Sequence, residues 1–150
     1  MPPELIVLLT AATPILELRG AIPVGLAMGM DPLEVWFLAV IGNILPVPFI
    51  LLGMNLVFKL LRHLPWVESF IERHAGKSSE KLNHLLQRWG WLALIVFVAI
   101  PLPGTGAWSG ALAASVLRLP FLSSLLSIIA GVLGASFLIS GIGVGVMSFF

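Results

Sequence analysis

Residues 119–148 contain no charged side chain at all. A helix needs about 20 residues to cross a hydrocarbon layer of ~30 Å, so this run alone is long enough to span a bilayer. Between Glu34 and Lys59 the chain is equally bare of charge. Runs of that kind tie a polypeptide to lipid, and the composition agrees. Of 150 residues, 59% are hydrophobic and 10% charged, with mean hydropathy +1.08, which leaves too little polar side chain to coat a soluble domain. The chain reads as an integral protein of the cell membrane. A net charge of +1 provides no basic field to recruit nucleic acid. With no cysteine, disulfides and thiol chemistry are excluded. The opening MPPELIVLL carries an acid where a signal peptide carries basic residues, and is expected to be mature sequence.

The apolar segments are of two kinds. Residues 33–62 and 119–148 read as transmembrane helices, the first interrupted at Pro46 and Pro48. Residues 4–30 and 89–117 are broken in the middle, at Thr13–Pro14 with Gly20–Pro23, and at "PLPGTGAWSG", Pro101 to Gly110. Each arm of a broken segment is about ten residues, roughly 15 Å of helix, or half a membrane. Between them, residues 63–88 turn polar. Val67, Phe70, Ile71 and His74 recur at helical spacing, as do Leu82, Leu85, Leu86 and Trp89, among basic and acidic neighbours. That pattern predicts an amphipathic helical segment on the membrane surface, with Trp66, Trp89 and Trp91 at the interface. The order of broken segment and crossing therefore occurs twice, at an offset of about 88 residues that sets Pro32 on Pro120. The expected fold is all-α: an inverted repeat of two re-entrant helical hairpins, each followed by a transmembrane helix. Repeated interrupted segments are the best sequence pointer to a transporter's binding site.

A break in hydrocarbon leaves backbone N–H and C=O groups that lipid cannot satisfy, so such a segment must face protein or a water-filled cavity. Pro14 and Pro23 bracket one break; Pro101, Pro103, Gly104 and Gly106 form the other. Half-helices beginning near Gly20 and near Ala107 would aim their positive ends at the centre. The first tip carries Glu17 and Arg19. Two positions apart, they diverge on an ideal helix but share one side of an extended stretch. A charge at mid-membrane costs about 2.5–3.5 kcal/mol on the insertion scale, which calls for a reason. One reading has Arg19 receive an anionic group while Glu17 gives or takes a proton; the other is an internal ion pair that pins the hairpin. The second tip offers Thr105, Trp108 and Ser109 as its polar side chains, with amides at Gly104 and Gly106 able to form an anion-binding nest or a tight turn. Asn43 either lines the cavity or bonds a neighbouring helix. Gly25/Gly29, Gly106/Gly110 and Gly141/Gly145 suggest close packing faces. His63, His74 and His84 are too scattered for a metal site, no cofactor motif is present, and no nucleophile–base constellation suggests an enzyme.

At "TPILELRGAIPVG" and "PLPGTGAWSGALAA" the sequence resembles the small multidrug export family of compact bacterial and archaeal membrane proteins. That family is similar in layout to the DedA/VTT superfamily. The resemblance implies two re-entrant hairpins with an acid and arginines at the tips, and transport of lipids or lipid carriers. It sets Glu17 and Arg19 at the first tip; the second tip lacks the arginine expected of DedA proteins.

The resulting expectation is a small transporter of an amphipathic or anionic substrate, with proton coupling left open. The alternatives are a lipid or lipid-carrier (polyprenyl phosphate) flippase or scramblase, and a non-transporting membrane scaffold with structural charges. Two broken tips need more shielding from lipid than one short chain provides, so a homodimer or higher oligomer is expected. With both broken segments re-entrant, every Lys and Arg except Arg19 falls on one face. The positive-inside bias then sets residues 63–88 in the cytoplasm and both termini outside.

Overall fold

The computed structural model describes residues 1–61, 63–66, 69, 79–101 and 105–149. Residues 67, 68 and 70–78 of the surface segment expected over 63–88 lie outside these residues, as do Pro103 and Gly104. The main helices are α1 (Pro3–Ala12), α2 (Glu17–Ala27), α3 (Pro32–Ile44), α4 (Pro46–Leu61), α5 (Ser79–Ala99), α6 (Ala107–Val116) and α7 (Phe121–Phe149), with no strand among the described residues. The boundary expected at 88/89 falls inside α5, which runs unbroken.

The helix ends follow from local chemistry. Thr13 stops α1 in an extended conformation (ψ 147°), because the residue before a proline is pushed out of the helical region. Its hydroxyl donates to the Thr10 carbonyl at 2.7 Å and accepts from the Leu16 amide at 3.4 Å, bridging the break. The second break expected at Gly20–Pro23 does not occur: α2 runs through both residues. An exposed proline withholds one intrahelical bond, here from the Arg19 carbonyl, without ending the helix. After α2, Gly29 turns left-handed (φ +78°), Met30 N–H closes onto the Gly25 carbonyl, and Asp31 caps α3 by accepting from Leu33 and Glu34. A similar turn follows α6, where Arg118 (φ 57°) is left-handed and Leu119 N–H closes onto the Ala114 carbonyl.

Two helices are long and apolar enough to cross a membrane, Pro32–Leu61 and Phe121–Val146. The first joins α3 to α4 end to end. Leu45 is itself helical and donates to the Ile41 carbonyl. Pro46 and Pro48 fall in the first turn of α4, where missing N–H groups cost least. Together with the composition, these spans make the chain an all-helical membrane protein. The remaining apolar stretches, Pro3–Ala12, the Arg88–Ala99 part of α5 and Ala107–Val116, are each too short to cross alone.

The core lies where the short helices pack on the long ones: α1 and α2 against α3, α5 and α6 against α7. Crosswise, α2 also meets α7 and α6 meets α4. Val7, Ile22, Val35, Val98, Ile128 and Val132 are among its fully buried members. Small residues set the spacing. A Cβ on Gly25 would lie 2.7 Å from Val35, one on Gly110 2.5 Å from Val98, and one on Gly42 would strike the Leu8 carbonyl. A Cβ on Gly141 or Gly145 would meet nothing within 4 Å among the described residues. A bond between Trp36 Nε1 and Ser136 Oγ, 2.8 Å long, ties α3 to α7, the kind of link worth about 0.6–2 kcal/mol in lipid.

Candidate functional site

The two breaks meet. Glu17 opens α2 in a left-handed conformation (φ 49°), which costs a non-glycine residue about 1–2 kcal/mol. That twist turns its side chain away from the ideal helical track and towards the N-terminus of α6, where the residue is left only 3% exposed. Glu17 Oε1 accepts from the Trp108 backbone N–H at 3.1 Å. α6 has no cap of its own, since its N-cap residue is Gly106. A carboxylate from the other break therefore caps it, where both the free N–H groups and the helix dipole favour an anion. Gly106, in a conformation that favours glycine (φ 157°), makes the approach possible: a Cβ there would land on Glu17 Oε2. The Trp108 indole completes the junction, donating from Nε1 to the Ala12 carbonyl at 3.1 Å across the end of α1. The Thr105 hydroxyl donates to the Ile100 carbonyl at 2.6 Å and closes the second break on itself.

Arg19 stands one step outward. Its guanidinium lies 3.8 Å from Glu17 Oε2, and its side chain is 28% exposed against 5% for the acid. The pair meets although α2 is helical over both residues, because the left-handed Glu17 breaks the ideal angular spacing. Arg19 also borders a cavity of about 540 Å³ whose other described lining residues are apolar: Pro23, Leu26 and Ala27 of α2, Pro101 after α5, and Ile139, Ile142, Gly143 and Val146 of α7. On the inner side, Glu17, Asn43, Thr105 and Gly106 border a void of only about 10 Å³.

Of the residues singled out in the sequence, Glu17, Arg19, Asn43, Pro101, Thr105, Gly106 and Trp108 come together here. Pro23 reaches only the large cavity. Pro14 is exposed on the outside of its break. Gly20 borders neither cavity; a Cβ on it would lie 2.7 Å from the Leu16 side chain. The expected half-helix start near Gly20 falls instead at Glu17, and the start near Ala107 is where α6 begins. The α7 wall of the cavity went unnoticed in the sequence, because Ile139, Ile142 and Val146 look like any lipid-facing residues of a spanning helix. Among the described residues, no group of His, Cys, Asp and Glu could hold a metal.

Neither the curated proteins nor the solved structures include a match to the chain. A family model does match, over residues 17–138, a stretch that begins at Glu17, just after the first break, and takes in the second. The chain belongs to the membrane-protein family described as "Putative small multi-drug export protein".

Proposed function

We propose that this chain is a transporter of small amphipathic anions, with the apolar body of the substrate in the 540 Å³ cavity and its anionic head at Arg19. The observation that carries the reading is the pairing of one charged residue with otherwise apolar walls. Ligand sites typically combine such walls with a few well-placed polar groups, in volumes of about 300–1,000 Å³. The family's description as an export protein supports transport over catalysis. Glu17, in contact range of Arg19, is the group that gives or takes a proton in this scheme.

The same cavity favours a second substrate class. Ile142 and Val146 are 61% and 51% exposed, and in a bilayer such residues face acyl chains. A lipid or lipid-carrier phosphate reaching Arg19 sideways from the membrane fits that opening. The test is efflux from reconstituted vesicles, run with amphipathic anions, amphipathic cations and headgroup-labelled lipids. Arg19→Ala is expected to abolish anion movement while leaving a folded protein, and Arg19→Lys to restore part of it, since the planar fork is lost. Full activity of Arg19→Ala leaves Arg19 with a structural role in a transporter; no movement of any probe by the wild type favours the non-transporting scaffold.

Architecture enters the proposal in the same way. α1, α2 and α6 have 10, 11 and 10 residues, half-membrane lengths that support re-entrant hairpins with tips near the midplane. The matching turns after α2 and α6, and the crosswise contacts of α2 with α7 and α6 with α4, support an inverted repeat. The unpacked Gly141 and Gly145 offer a face on which two copies could meet. In this scheme the 63–88 segment is cytoplasmic and both termini lie outside. Alkaline phosphatase fused after Phe150 is then active; an inactive fusion there, bright with a cytoplasm-only fluorescent reporter, sinks the re-entrant arrangement.

A further inference from the structure

The small void behind Glu17 contains an unmet acceptor. Asn43 is 2% exposed, and its Oδ1 has no hydrogen-bond partner. Leaving a buried acceptor unpaired is costly, and a helix inside a membrane has little bulk water to offset it. Asn43 borders the same void as Glu17 and Thr105, which at about 10 Å³ falls short of comfortable room for a single water. What the site lacks is a hydrogen. The Thr105 hydroxyl spends its own on the Ile100 carbonyl, and the Trp108 amide spends its on Glu17 Oε1. Arg19 borders the void too but makes no hydrogen bond to Asn43 Oδ1. An ionised Glu17 accepts only; a protonated Glu17 gains one O–H.

We propose that Asn43 is the acceptor for the proton carried by Glu17. A proton from solvent adds to the carboxylate, and the new hydroxyl donates to Asn43 Oδ1 across the void, which is too tight for a water to supply the missing hydrogen instead. Glu17 passes from charge −1 to neutral, and its attraction for Arg19 is lost. The attraction of Arg19 for an anionic head in the cavity rises accordingly, which couples proton uptake to substrate binding. The inference rests on the reading of Glu17 as the proton site. The groups that face Glu17 are few. Arg19 comes from its own helix, the Trp108 N–H from α6 and Asn43 from α3; α5 and α7 bring apolar side chains such as Val98 and Val132. The proton on Glu17 thus has Asn43 as the side-chain acceptor in the void that is still without a donor.

Infrared difference spectroscopy of the full chain in lipid vesicles, titrated across pH, tests this. The wild type is expected to show a protonated-carboxyl C=O band that vanishes in Glu17→Gln. In Asn43→Leu the band should persist but move to higher frequency, as an acid does when its hydroxyl loses an acceptor. Asn43→Ser, smaller and still polar, guards against a variant that fails to fold; its band is expected between the two. A Glu17 band that stays at the wild-type position in both variants overturns the role of Asn43 and leaves the proton reading of Glu17 standing. No protonated Glu17 band at any pH overturns both.

Discussion

The break between α1 and α2 carries charge and tolerates strain; the described part of the break before α6 carries neither charge nor bulk. One contributes Glu17 in a left-handed conformation and Arg19 beside it, the other an uncapped helix end and the Cβ-free notch at Gly106. They are complementary rather than equivalent. A carboxylate in a membrane needs donors, and a helix N-terminus needs an acceptor; each break satisfies the other's unmet groups. This also accounts for a second tip without an arginine. The anion it holds is the protein's own Glu17, which a backbone N–H and a dipole suffice to receive.

The largest expected effect comes from closing the notch. Gly106→Ala puts a methyl where Glu17 Oε2 sits, and backbone strain adds to the clash. The loss should reach or exceed the ~3 kcal/mol upper end of overpacking costs, read as a fall in thermal unfolding temperature in detergent. Gly20→Ala in the first break is the comparison. It presses on the Cβ of Leu16 one turn back, so the turn itself must shift a little, but no carboxylate is displaced and no positive φ is strained, and about 1–2 kcal/mol is expected. Equal losses at the two glycines would break the asymmetry drawn between the breaks.

Next comes the carboxylate. Glu17→Ala removes the cap of α6 and should cost about 1.5–3 kcal/mol, the range for a hydrogen bond to a charged group. Glu17→Gln keeps an acceptor for Trp108 and should lose about half as much stability, while removing any pH dependence of transport. If Gln and Ala are equally damaging, the negative charge matters more than the hydrogen bond. An unchanged pH profile in Glu17→Gln would sink the proton role.

Smallest is the indole link. Trp108→Phe keeps the ring and gives up the bond to the Ala12 carbonyl, an expected loss of about 1 kcal/mol with transport intact. A loss of transport without a loss of stability would instead put the indole in contact with substrate.

Much of this was legible in the chain itself. Pro14 dictated that Thr13 leave the helix, Asp31 and Pro32 marked the start of α3, and Gly106 with Ala107 marked the start of α6. These are effects of a residue on its immediate neighbours, and they need no tertiary partner. The charge-free runs likewise committed the chain to lipid through the cost of burying charge. Pro23 misled, because its local penalty was outweighed by a helix continuing on both sides of it. The spacing of Glu17 and Arg19 misled too, since it presumes ideal geometry where one residue is left-handed. What the tertiary structure alone decided is which groups meet. Glu17 and Trp108 are 91 positions apart, and nothing near either announces the other. For Asn43 the sequence left open whether it lines a cavity or bonds a neighbouring helix; the structure sets it, with an unpartnered Oδ1, on the void that Glu17 also borders. The α7 wall of the cavity was hidden for the same reason. Local rules act through bonds and adjacent turns, whereas a cavity exists only where separate helices fail to fill the space between them.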